Sequence, residues 1–278
     1  VKFVLGDVAM KKWSVGQTIS ILTGITVAMM IGLIVLRRLF GQFMDKTAWE
    51  LSVELIAVIA IVVMNKYWLH VPLSYRWQTH GLFWNVCWLG LLLVFIKGGV
   101  FIGSYFVNTK FVPGIEAVVM SLLVGFYEES LFRGIILGQL VHNFKGRHRI
   151  VNAVLVSSVL FGLMHAGHFF DNFGQSGINT TLQIGYAICL GVYFSAVTLR
   201  TGSLFWPMVM HATFDLPSFY LEFAEHANVL SGSMSGEELM ISLISDAIHY
   251  LPVLLIGLWL VRKSQLAEIH HANQVWVN

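Results

Sequence analysis

Long apolar runs separated by short charged or Gly/Pro-containing breaks dominate this chain, and they predict helices that cross a bilayer. The runs are Val15 to Leu36, Leu51 to Leu69, Leu82 to Val107, Ile115 to Val141, Ile150 to His165, Leu182 to Leu199, Leu204 to Tyr220 and Leu239 to Val261. Crossing the hydrocarbon core takes about 20 residues per helix, so eight spans use roughly 160 residues and leave short connections. Lys97-Gly98-Gly99 interrupts the third run, which predicts a kink or a division into a span and an interfacial piece. Seven spans with a re-entrant segment is therefore the alternative count. Gly167 to Thr181 reads as a polar loop, and Trp13, Trp49, Tyr67, Trp68, Trp77, Trp84 and Trp206 fall near run ends, where aromatic rings anchor at the interface.

Composition narrows this to an all-α, polytopic membrane protein forming one integral membrane domain over residues 1–278. Of 278 residues, 56% are hydrophobic and 12% charged, with a mean hydropathy of +0.73, far from a soluble domain. A net charge of +2 without a dense basic face argues against a nucleic-acid partner. Cys87 and Cys189 both lie in apolar runs and read as small hydrophobes. The first run is too long for a cleaved signal peptide, so the first span is expected to direct insertion. On an eight-span count one face collects eleven Lys and Arg residues and the other collects four: Arg37, Arg38, Lys46 and Lys110. Both termini are accordingly expected on the cytoplasmic side.

Three charges fall inside the fourth run, in Gly125-Phe126-Tyr127-Glu128-Glu129-Ser130-Leu131-Phe132-Arg133-Gly134. Each would cost about 2.5 to 3.5 kcal/mol at the bilayer centre if left alone. Helical spacing sets Glu129 and Arg133 about 40° apart on one face, close enough to pair, and leaves Glu128 outside that pair. A buried, uncompensated carboxylate suits a general base; a structural polar knot between helices is the bland alternative. The fifth run ends in Phe161-Gly162-Leu163-Met164-His165, and the seventh contains His211-Ala212-Thr213-Phe214-Asp215. His211 and Asp215 share a face at i, i+4, so the carboxylate can orient the ring.

Glu128-Glu129-x-x-x-Arg133, Phe161-x-x-x-His165 and His211-x-x-x-Asp215 come in order on separate runs, and together they resemble the motifs of the CPBP intramembrane endopeptidases. That family includes the type II CAAX prenyl proteases and the Abi-type bacterial proteins. The resemblance covers about residues 115–220. It implies an intramembrane endopeptidase with a polar cavity between the fourth, fifth and seventh spans, acting on a membrane-anchored, lipidated or membrane-active peptide. Glu128 and His165 would hold and activate a water, and His211 and Asp215 would face the scissile carbonyl. Glu129 and Arg133 would be structural support. The family shows Asn or Asp at the last motif position; with Asp215 here, His211 is assigned as oxyanion donor and Asp215 as its orienter. The setting implied is a bacterial cell membrane, with no cofactor.

Other readings stay open at this stage. Glu128, His165 and His211 are also candidate zinc ligands with an open fourth position, with His168 nearby. A non-catalytic membrane protein, such as an immunity protein that binds a membrane-active peptide, or a small transporter would also keep intramembrane charges. Gly174-Gln175-Ser176-Gly177 could pair a nucleophilic serine with His211, although its composition is that of an ordinary loop. Glu54 is expected near one interface, Lys97 to snorkel or pair, and His270-His271 to be a solvated tail.

Overall fold

The computed structural model describes residues 10–41, 43, 45–77, 82–108, 110–170, 177–225, 235–262 and the single positions 267, 269, 272 and 276. Ser176 and the His270-His271 pair lie outside the described residues. The architecture is all-helical: α1 (Val15–Phe40), α2 (Lys46–Met64), α3 (Leu82–Asn108), α4 (Phe111–Glu129), α5 (Leu137–Asn143), α6 (Arg149–Met164), α7 (Gly177–Thr201), α8 (Phe205–Glu225) and α9 (Gly236–Leu260). A π-helical turn, Ser130–Ile136, joins α4 to α5 into a single rod, so the nine α-helices among the described residues form eight membrane-scale elements.

Seven of these elements are long and apolar enough to cross a membrane. The eighth, α8, corresponds to the expected Leu204 to Tyr220 span; His211, Asp215, Glu222 and Glu225 dilute its apolar character. It nevertheless packs along α4 and α3. The expected break at Lys97-Gly98-Gly99 does not occur: α3 is continuous from Leu82 to Asn108. Gly98 and Gly99 do not divide the span, because a helix satisfies its own backbone and two glycines in an apolar environment have no water with which to bond instead.

Glycines bring the helices of the site close together, as expected where small residues drive packing in a membrane. A Cβ on Gly125 of α4 would stand 2.9 Å from the Met208 carbonyl and 3.2 Å from the Ala212 nitrogen of α8. A Cβ on Gly162 of α6 would meet the Ile184 carbonyl of α7 at 2.9 Å. The backbones of α4 and α8 therefore touch within one turn of Glu128, Glu129 and His211. The half-helical turn after Glu129 is tied from both sides: Ser157 of α6 donates to the Phe132 carbonyl at 2.8 Å, and Tyr75 and Ser130 share a hydrogen bond of 2.9 Å. π-turns are uncommon and gather at functional sites.

Candidate active site

Glu128 and Glu129 are the last two residues of α4, and both reach the imidazole of His211 on α8. His211 Nδ1 donates to Glu129 Oε1 at 2.6 Å, while its Nε2 lies 3.4 Å from Glu128 Oε2 and 3.3 Å from Asp215 Oδ2. Glu129 Oε1 is also 2.9 Å from Arg133 Nη1. The Arg133 guanidinium lies 3.9 Å from the Phe161 ring centre and 5.5 Å from that of Phe194, so two aromatic faces and one carboxylate surround the charge.

Exposure separates these groups by what they can meet. The side chains of Glu129 and Arg133 are fully buried at 0%, His211 is exposed by 7%, Glu128 by 15% and Asp215 by 25%. Glu129 and Arg133 can therefore act only through the ring they hold, while Glu128, His211 and Asp215 can meet a ligand. His165 closes α6, and its Nδ1 lies 3.0 Å from the Phe161 carbonyl. A carbonyl only accepts, so Nδ1 carries the proton and a neutral ring presents Nε2 as a free acceptor.

These side chains share one cavity of about 280 Å³, lined by Glu128, His165, His211 and Asp215. The expected three-helix set is thus brought together, with α1, α2 and α7 adding further wall. Three features escaped the sequence. Glu129 holds the inner nitrogen of His211, whereas Asp215 faces the outer one together with Glu128. Glu54, expected near one interface, is also buried inside the protein, with only 6% exposure, and lines the same cavity with Glu50, Glu222 and Arg37. Glu50, Glu54, Ala57 and Ile61 form a helical stripe of buried positions on α2, a spacing that marks the carboxylates as core-facing. Lys97 makes no ion pair among the described residues; its Nζ lies 4.3 Å from the centre of the Phe214 ring.

The zinc reading finds less support in this arrangement. No group of three or more His, Cys, Asp or Glu side chains is disposed to hold a metal among the described residues.

Comparison with known proteins adds to this geometry. The curated CAAX prenyl protease 2 of Arabidopsis thaliana is 27% identical over 95 residues, covering 32% of this chain and 30% of that protein. The similarity thus spans under a third of the relative's length. Residues 110–217, from the residue that caps α4 into the middle of α8, match the family described as Type II CAAX prenyl endopeptidase Rce1-like. This stretch contains every motif residue of the cavity, so the chain, a multi-pass membrane protein by its seven long apolar helices, is similar over residues 110–217 to the Rce1-like type II CAAX prenyl endopeptidases.

Proposed function

We propose that this protein is an intramembrane endopeptidase that hydrolyses a peptide bond of a membrane-anchored or lipidated substrate with a water activated by Glu128. The observation that carries the reading is the convergence of Glu128, His165, His211 and Asp215, from three helices, on one cavity. Glu128 takes a proton from a water held by the free Nε2 of His165, and the oxygen attacks the scissile carbonyl. His211, fixed at Nδ1 by Glu129, turns Nε2–H toward the carbonyl oxygen as negative charge develops there. A ring donating from both nitrogens is an imidazolium, and Glu129 and Asp215 supply its countercharge. Glu128 then returns its proton to the leaving amine nitrogen as the C–N bond breaks.

Asp215 follows from the same geometry as a positioning group. It shares the outer nitrogen of His211 with Glu128, and so keeps that nitrogen protonated and aimed into the cavity. The buried Glu129–Arg133 pair holds the ring from behind without meeting substrate.

The test is cleavage of membrane-peptide substrates by purified protein in proteoliposomes, with termini identified by mass spectrometry. Glu128→Gln and His165→Ala are each expected to lower the rate by about 10²- to 10⁴-fold while the melting temperature stays within a few degrees of the parent. A folded Glu128→Gln variant that cleaves as well as the parent would refute the glutamate mechanism. Loss of cleavage on chelation, restored by zinc, would transfer the site to metal chemistry.

A further inference from the structure

The cavity has a second end that this mechanism does not use. Beside Glu128 and Asp215 it is lined by Glu50, Glu54 and Glu222, making five carboxylates against one guanidinium, that of Arg37. Of the additional three, Glu50 is buried at 4% exposure and Glu54 at 6%, and Glu54 is the one farther along α2 from the exposed Lys46. The Oε2 of Glu54 has no hydrogen-bond partner among the described residues. Its other oxygen lies 3.9 Å from Arg37 Nη2, beyond hydrogen-bond reach. Lys46 contributes little to Glu54, because its ammonium is 2.6 Å from Glu222 and 3.8 Å from Glu50.

A buried carboxylate oxygen without a donor is costly, and a charged donor compensates it best. Position along α2 gives the group a function. Lys46, Glu50 and Glu54 are spaced by four residues on one face, so Glu54 lies about 12 Å along the helix from Lys46. The chain of charges thus runs from the exposed Lys46–Glu222 pair inward to Glu54. The same cavity offers Met120, Val124 and Phe219 as apolar wall, which suits the methylene stem of a lysine or arginine whose head seeks a carboxylate.

We propose that Glu54 forms a subsite for a basic side chain of the peptide substrate, with Glu50 and Glu222 beside it. Identification of the ligand as part of a peptide rests on the endopeptidase reading above. The subsite itself rests on the buried, unpartnered carboxylate and the excess of acidic groups around it.

The experiment uses the full chain in proteoliposomes and peptides in which each residue flanking the scissile bond is arginine, its neutral isostere citrulline, or glutamate. At one position the wild type is expected to favour arginine over citrulline by about tenfold in kcat/KM, the scale of one charge-assisted hydrogen bond. Glu54→Gln should bring that ratio close to one through a raised KM for the arginine peptide, and Glu54→Asp should retain part of it. Binding of the same peptides to the Glu128→Gln variant, with and without Glu54→Gln, reads the subsite independently of hydrolysis. Glu54-dependent preference for arginine in binding, together with no cleavage of any peptide by the wild type, would sink the peptidase reading and leave the subsite standing. Equal treatment of arginine and citrulline at every position, or a preference that survives Glu54→Gln, overturns the proposal. If Glu54→Gln melts too early to assay, the arginine-to-citrulline binding ratio of the unaltered Glu54 protein decides, and a ratio of one is fatal.

Discussion

The two ends of the cavity are built differently. At the inner end, contacts are short and sealed: Glu129 sits 2.6 Å from His211 and 2.9 Å from Arg133, with Glu129 and Arg133 wholly inaccessible. At the outer end, the ion pairs Arg37–Glu54 and Lys46–Glu50 stretch to 3.9 and 3.8 Å, and the one short contact, Lys46–Glu222 at 2.6 Å, is made by a lysine side chain that is 53% exposed. The inner end comes from residues 110–217, the segment that matches the Rce1-like family, while Arg37, Glu50, Glu54 and Glu222 all lie outside it. A set of groups that must hold a transition state gains from rigidity. Groups that exchange one partner for a ligand gain from pairs that are easily opened. The difference suggests a fixed chemical centre with a separable recognition wall, and each end can be perturbed in turn.

The largest effect is expected from Arg133→Met. Removing the guanidinium leaves Glu129 buried with one partner fewer, and breaking a buried pair costs about 3 to 5 kcal/mol. Thermal unfolding in nanodiscs should show a substantial fall in melting temperature, accompanied by loss of activity because His211 loses its support. The double variant Arg133→Met with Glu129→Gln should recover much of the stability without recovering activity. Full activity in either variant would mean that the inner end is not a rigid unit.

Much of that inner end was legible in the sequence, and the reason is local. Glu129 and Arg133, and likewise His211 and Asp215, lie four residues apart on one helix, so spacing alone aligns them. The motif order then united α4, α6 and α8. What remained hidden was contact between helices. Nothing in the spacing reveals that Glu129, on α4, takes the inner nitrogen of His211 on α8; that depends on how closely Gly125 lets the two backbones approach. Glu54 escaped for a related reason. A lone carboxylate near a helix end reads as interfacial, and only the buried stripe it shares with Glu50, Ala57 and Ile61 turns it inward. The uninterrupted course of α3 past Lys97-Gly98-Gly99 agrees with the single apolar run Leu82 to Val107 rather than with its division, since glycine weakens helices in water more than in lipid.

A middle-sized effect should follow from Gly125→Ala. The added methyl would stand 2.9 Å from a backbone oxygen that cannot rotate away, so α4 and α8 must separate by several tenths of an ångström. Overpacking of this kind costs about 1 to 3 kcal/mol. The sharper readout is kinetic: a widened Glu129–His211 contact should lower kcat more than it raises KM. An effect confined to KM would place the damage at the outer end and undo the division proposed between the two.

A smaller loss is expected from Tyr75→Phe. Burial pushes the Tyr75 phenol up to about 12, so it remains protonated and shares its hydrogen bond with Ser130 at the start of the π-turn. Its ring also stacks on Phe126 with centres 5.3 Å apart, and that packing survives the substitution. The Ser130 hydroxyl can turn back to a carbonyl of its own helix, which limits the cost to about 1 kcal/mol. Melting curves should move slightly, and hydrolysis should fall only as far as the turn relaxes.

The smallest stability effect belongs to Lys46→Gln, and it gives the most direct test of the contrast between the ends. Exposed ion pairs contribute about 0 to 1 kcal/mol, so removing Lys46 should leave the melting temperature nearly unchanged. Recognition should respond all the same. Glu222 and Glu50 lose the ammonium that now lies 2.6 and 3.8 Å away, and the cavity entrance becomes more negative. Preference for a basic substrate residue over its neutral isostere should therefore rise, and it should fall again with added salt because the added attraction acts partly through solvent. A variant that is less stable by several kcal/mol would show that the outer pairs hold the fold together. An unchanged substrate preference at low salt would show that the outer charges do not reach the ligand.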